Sequence, residues 1–361
     1  MLTTLIKQIF SGRGRATIDA LLEEARTALA AKDVAATEKA AKAILAVQPR
    51  HAEASFYCGF ATFQRGNYTE ALAAFRDAAA DGILGAEHAV LMAKCHCKLQ
   101  DLVSAEQCCE IALQFEPNCR DAHLLLVAIQ LPGSDYTHVI SAIHQSLRPA
   151  TYLEIGVAHG ASIVLANGDT SAIGIDPQPD IRVPLSSNIR IIAKTSDAFF
   201  AQHDVRAEFG GRPIELAFID GMHHFDFALR DFAHVEHHCT RNSIILIHDC
   251  YPLNRATAAR DRSTIFWSGD VWRLILALKK FRPDLQICTI AAHPTGLALV
   301  RNLDPQSRVL TDNMDAIVAE FMATDYAVLD QNKQEMLNWF PNDWSKIEGL
   351  LKPADGGTHA I

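Results

Sequence analysis

Between residues 18 and 118 the sequence repeats with a period of about 34 residues, which confines that third of the chain to a stack of similar units. The register is visible residue by residue. Pro49 and Pro117 stand two periods apart, and Ala71 and Ala105, like Ala78 and Ala112, stand one apart. Tyr68 is matched by Leu102 and Asn67 by Asp101, with Asp33 and Val34 one period upstream. Each unit reads as a helical hairpin. In the middle one an apolar helix ASFYCGFATFQ leads through Arg65-Gly66-Asn67 into YTEALAAFRDAAA, whose small Ala71 and Ala78 let the partner helix approach. A further helix, RDAHLLLVAIQ, is expected to cover the last apolar face of the stack.

The repeat resembles the tetratricopeptide family, with Gly59, Tyr68, Ala71, Phe75 and Ala78 at its signature positions. The first unit departs from that pattern at Glu24 and Thr37, and Ile83 stands where the middle unit's closing proline would fall. The resemblance implies a concave surface for a protein partner, or an element for self-association.

Composition narrows the remainder. With 361 residues, 49% of them hydrophobic, the chain has material for a second core. A formal charge of -9 repels phosphate backbones, which argues against nucleic acid as a partner. No run of 18 apolar residues is present and MLTTLIKQIFSGRGR lacks a signal-peptide pattern, so no membrane partner and a cytoplasmic location are expected. Nine cysteines cannot all pair, and Cys95, Cys97, Cys108 and Cys109 lie inside helical patterns, so free thiols are expected.

At Leu131-Pro132-Gly133-Ser134-Asp135 the helical period stops, and strands begin to alternate with helices. The strand runs are TYLEIGV (151–157), AIGID (172–176), IRIIA (189–193), IELAFID (214–220), SIILIHD (243–249), QICTIAA (286–292) and GLALVRN (296–302). Only His293-Pro294-Thr295 joins the last two, which demands an antiparallel hairpin, whereas the longer connections permit parallel crossovers. The layout is α/β and similar to the Rossmann-like sheet of the class I methyltransferases, order 3-2-1-4-5-7-6 with strand 7 antiparallel. The expected organisation is an all-α repeat domain over 1–131, an α/β domain over 136–304, and a helical extension over 305–361 with a frayed polar end, ADGGTHAI.

The first strand ends in Glu154-Ile155-Gly156-Val157-Ala158-His159-Gly160, where Gly156 and Gly160 permit a tight turn beneath a nucleotide-like ligand. Asp176, at the end of the second strand, can accept hydrogen bonds from both ribose hydroxyls. A pyrophosphate cofactor would ask for glycine where Ala158 and Ala161 stand, so NAD is disfavoured. Glu154 instead suits the cationic methionyl end of S-adenosylmethionine. After the third strand, Ser196 can cap a helix over the adenine slot, and Asp197 can bond the adenine amino group.

FIDGMHHFDFALRDF (218–232) and IILIHDCYP (244–252) carry the reacting chemistry. Asp220 and Asp249 end neighbouring strands and should converge on a divalent cation, with Mg²⁺ the first choice and His248 a third ligand. His223, three residues beyond Asp220, is the candidate base that takes the proton of a hydroxyl acceptor. Arg255, Arg260 and Arg262, with Trp267 and Trp272, fall where a substrate lid would lie and suit a sugar or anionic acceptor.

Asp220-Gly221-Met222-His223, the His248-Asp249 pair, YLEIGV and Trp267-Ser268-Gly269-Asp270-Val271-Trp272-Arg273 resemble the class I methyltransferases related to macrocin and cephalosporin-type O-methyltransferases, over residues 136 to 302. The resemblance implies S-adenosylmethionine as cofactor, Asp220, His248 and Asp249 as a metal triad, His223 as base, and a small hydroxyl compound such as a sugar as acceptor. The family's middle metal position is often Glu, and its frequent second glycine is Ala158 here. A rival reading makes the repeats the working part and the sheet a degenerate scaffold; the retained Asp220, His223 and Asp249 argue against it.

Overall fold

In a computed structural model of the chain, which describes residues 13–352, helix starts recur every 34 residues. The second helices of the three hairpins, α2 (Val34–Leu45), α4 (Tyr68–Ala80) and α6 (Leu102–Phe115), begin in that step, as do α3 (Ala52–Gln64), α5 (Ala86–Lys98) and α7 (Arg120–Gln130); α1 (Arg13–Ala30) opens the series. Asp33 and Asp101 cap α2 and α6 by accepting from the amides of Ala36 and Ser104. The turns between paired helices share a left-handed residue at equivalent positions, Lys32, Gly66 and Gln100. Gly59 leaves the space filled by the Phe75 ring, and Ala71 and Ala78 are fully buried. Thr37 is accommodated in the first unit because its hydroxyl donates to the Asp33 carbonyl at 2.8 Å. The N-terminal segment 1–12 and the polar end 354–361 lie outside the described residues.

The chain divides into two units between Ile129 and Gln130. The second opens with α8 (Tyr136–Leu147), started by Asp135, whose carboxylate accepts from the Thr137 amide. Its sheet runs β3-β2-β1-β4-β5-β7-β6-β8, made of β1 (Thr151–Ile155), β2 (Ser171–Ile175), β3 (Ile189–Ile192), β4 (Ile214–Ile219), β5 (Cys239–His248), β6 (Gln286–Ile290), β7 (Leu297–Arg301) and β8 (Trp339–Phe340). β1 to β5 pair in parallel, and β7 is antiparallel to both β5 and β6. The first seven strands thus follow the expected order. The segment after residue 304 contains short helices and also β8, which adds to β6 in parallel.

All five residues of β1 are buried, so helices cover both faces of the sheet there, with Tyr152, Phe218, Leu246 and Leu299 in its core. Strand order reverses between β1 and β4, and at such a switch point the loops leaving the carboxyl ends diverge into a crevice. All nine cysteines are free, seven of them buried. No helix among the described residues is long and apolar enough to cross a membrane.

Candidate active site

Because β4 and β5 are parallel neighbours with Ile219 opposite Ile247, the residues that follow them emerge side by side. One ligand atom from each of Asp220, His223 and Asp249 lies within 4.8 Å of the others. His223 bridges the acids, with Nε2 3.3 Å from Asp220 Oδ1 and Nδ1 2.9 Å from Asp249 Oδ2. His248 approaches from the sheet side, its Nδ1 3.3 Å from Asp220 Oδ1 and 3.4 Å from Asp249 Oδ2.

The backbone is bent to achieve this. His223 and Asp249 both adopt left-handed conformations, at φ of 56° and 59°, which cost roughly 1–3 kcal/mol each in a non-glycine residue. Neighbouring elements hold them there. Gly269 leaves room for the His223 carbonyl, which accepts from the Asp270 amide at 3.2 Å, while Asp270 Oδ1 accepts from the Phe225 amide at 2.7 Å. Thr295, in the β6–β7 turn, donates to Asp249 Oδ1 at 2.6 Å.

The charges are strongly interdependent. Burial would raise the Asp249 carboxyl, yet His248 and His223 outweigh it and hold the group far below the usual carboxylate range; Asp220 is lowered in the same way, chiefly by His248. Burial would likewise lower the imidazoles, but Asp249 and Asp220 push His223 up to about 11 and His248 up to about 10. The acids and the rings thus favour one another's charged forms.

Beside it opens a cavity of about 490 Å³, whose walls include Gly156, Ala158, Asp176, Ser196, Asp197 and Asp220, within the size range of small-molecule sites. Asp176 accepts from the Val157 and Ala158 amides through Oδ2 and from the Gln178 amide through Oδ1, fixing the loop after β1. Gly156 has φ of 88°, and a side chain there would meet the Asp220 carbonyl. Gly160 stands back from the cavity wall, making room for Val183.

Two placements differ from the sequence expectation. Glu154 does not reach the cavity: fully buried, it accepts from the Tyr152 hydroxyl at 2.6 Å and the Ser162 hydroxyl at 2.7 Å, and burial pushes it up to about 8. The helix after β3, α9 (Ser196–Gln202), is capped by Thr195, which accepts from the Ala198 amide, so Ser196 is its first residue and not its cap. Ser196 and Asp197 still line the cavity, where Asp197 contacts Arg230 at 3.3 Å.

The arginines after β5 are engaged by other groups. Arg255 pairs with Asp325, Arg260 with Asp226 and Asp270, and Arg262 donates to the Thr264 and Ile265 carbonyls. Trp272 is fully buried, whereas the Trp267 ring stacks on His223 at 5.1 Å. Three contributors escaped the sequence reading. Tyr136 lines the cavity and packs tilted against His248 at 4.1 Å, buried Asp231 lines it beside Ser196, and Thr295 holds Asp249. Tyr136 and Thr295 come from a preceding helix and a distant turn, with no local motif to mark them.

Residues 153–250, from β1 to just past β5, match the family model described as a methyltransferase domain. A search among curated proteins finds no match. Among solved structures, an O-GlcNAc transferase mutant from Thermobaculum terrenum is 17% identical, with a TM-score of 0.32 over 58% of this chain; the chain spans about half of that protein, 46%. The O-methyltransferase TomG from Streptomyces achromogenes, involved in tomaymycin synthesis and solved with SAM, is 14% identical with a TM-score of 0.37, covering 47% of this chain and 80% of that one. An O-methyltransferase from Bacillus cereus in complex with SAH is 13% identical with a TM-score of 0.35, covering 49% and 86%. The matched span is carried on a sheet of this strand order, so the second unit holds a methyltransferase domain of the class I fold.

Proposed function

We propose that the chain transfers a methyl group from S-adenosylmethionine to a hydroxyl oxygen of a small-molecule acceptor, a sugar or a similar compound, with a divalent cation at Asp220, His248 and Asp249 and with His223 as base. The observation that carries this reading is that Asp220 and His223, which cluster with Asp249, line the same cavity as Gly156 and Asp176. Asp176 already serves three amides, yet a carboxylate has about four acceptor sites, which leaves capacity for ribose. Ser196 and Asp197 would face the adenine. Gly156 and Gly160 shape the loop beneath the cofactor, and Glu154 braces that loop through Ser162.

The acid and imidazole cluster suits a cation. Asp249 Oδ2 and His223 Nδ1 are buried and in contact, yet out of line for a hydrogen bond. Two imidazolium protons and one divalent ion carry the same charge, so exchanging them leaves the buried pair of acids neutralised. Imidazole donors favour Mn²⁺ over Mg²⁺. When bound, such an ion lowers the pKa of an acceptor hydroxyl. His223 would take the acceptor hydroxyl's proton at a ring nitrogen, and Trp267 stacked on it keeps the ring in place. The helical unit would recruit a protein or a second copy of the chain; its groove of about 420 Å³, walled by Phe60, Phe63, Val90 and Leu91, supports that use.

Calorimetry with S-adenosylmethionine tests the first half. Binding that is absent, or that is unchanged by Asp176→Asn, counts against it. Methyl transfer in extracts that survives exhaustive chelation removes the cation alone.

A further inference from the structure

We propose that Thr295 is a positioning residue: its hydroxyl ties Asp249 to His248 and so turns the free oxygen of Asp249 towards His223 and the free ring nitrogen of His248 towards Asp220. The proposal deepens the cation reading given above and rests on it. Thr295 lies in the turn between β6 and β7, outside the span 153–250, and is 3% exposed.

Its place is set by backbone. The Thr295 carbonyl accepts from the Tyr251 amide at 2.8 Å, and Gly296, with φ of 74°, has room only for a hydrogen where a Cβ would strike Tyr251. The turn is therefore clamped to the chain just as it leaves β5. From that position the hydroxyl donates to Asp249 Oδ1 at 2.6 Å and stands 3.3 Å from His248 Nε2. A hydroxyl has one proton to give and lone pairs to receive. Donating to Asp249, it is left to accept from the His248 Nε2 hydrogen.

The consequence is geometric. Asp249 Oδ1 is occupied, so Oδ2 is the oxygen left facing His223, at 2.9 Å. His248 Nε2 is likewise occupied, so Nδ1 is the nitrogen turned to Asp220, at 3.3 Å. The Tyr136 ring packs against the His248 ring at 4.1 Å, which opposes rotation. Loss of the hydroxyl would free the Asp249 carboxylate to turn about its last torsion and uncouple it from the ring. Groups that orient ligands in this manner typically change metal affinity by about 10–100-fold when removed.

The test uses the full chain and Mn²⁺ as probe, with free ion read by electron paramagnetic resonance. Thr295→Val keeps shape and removes the hydroxyl; Thr295→Ser keeps the hydroxyl. The expected result is Mn²⁺ binding weakened at least about tenfold in the valine variant and restored in the serine variant, with S-adenosylmethionine affinity alike in all three. A purely structural role would instead lower the unfolding midpoint without separating the two ligands. Equal Mn²⁺ affinity in wild type and valine variant overturns the proposal. If the valine variant does not fold, Thr295→Ala takes its place.

If wild type takes up no Mn²⁺, the cation reading fails, and the metal-free protein decides this proposal by proton NMR. A slowly exchanging His248 Nε2 proton, visible at low field in wild type and serine variant but lost or moved upfield in the valine variant, upholds the bridge. The same signal in all three overturns it.

Discussion

The backbone carbonyl of Asp220 stands where a side chain on residue 156 would begin, so Gly156 is glycine on account of Asp220. The turn after β1 and the tip of β4 are thereby locked together, one bordering the cofactor cavity and the other the acid cluster. Gly156→Ala must displace that carbonyl and hold φ near 88°, so a stability loss of at least about 2 kcal/mol is expected. Urea unfolding checks this; an unchanged midpoint would show that the two loops move independently.

Glu154 gives a signed pH dependence. Burial holds its folded carboxyl at about 8, against an ordinary value of 4.5. Between those values the unfolded chain loses a proton that the folded one keeps, so stability falls as pH rises from 4.5 towards 8 and levels off above it. Glu154→Gln should flatten the curve, with wild type losing up to roughly 3–5 kcal/mol more than the variant across the window. Parallel curves for the two proteins would contradict the burial argument.

Asp249 is the main support of the raised His223. In Asp249→Asn the ring loses its strongest opposing charge while burial remains, so its titration should move from about 11 down towards the ordinary histidine value of 6.5. Proton NMR of the ring follows it directly. Methyl transfer is expected to disappear in the same variant while S-adenosylmethionine affinity persists; retained transfer would exclude Asp249 from the chemistry.

A different buried pair governs stability away from the cavity. Arg282 and Glu236 meet at 2.6 Å, both nearly inaccessible, and Glu236 also accepts from the Asp304 amide. Arg282→Met leaves the carboxylate uncompensated and should cost about 3–5 kcal/mol. Adding Glu236→Gln should recover part of that loss; thermal unfolding of the single and double variants measures both.

The strands were legible because each is a short apolar run closed by turn residues, and the three-residue link at His293-Pro294-Thr295 forced the reversal of β7. The pairing of Asp220 with Asp249 followed from neighbouring strands. Glu154 was harder. Strand β1 is buried on both faces, so alternation carries no sign of which way a side chain points, and the carboxylate turned to Tyr152 and Ser162 instead of the cavity. Thr195 and Ser196 are adjacent hydroxyls, and the choice of cap depends on which one keeps an extended backbone, here Thr195 with ψ of 154°. The left-handed turns recur at Lys32 and Gln100 as well as Gly66, so glycine marked only one of the three. Two-residue β8 is too short to leave a pattern of its own.

That small strand matters beyond its length. The carbonyls of Phe340 and of Asn338 just before the strand accept from the Ala291 and Thr289 amides, which would otherwise sit on the open border of the sheet at β6. Unsatisfied rims of this sort invite pairing with other molecules. The distal portion of the polypeptide accordingly acts as a hem: removed, it would leave a raw margin prone to stitch one molecule to the next.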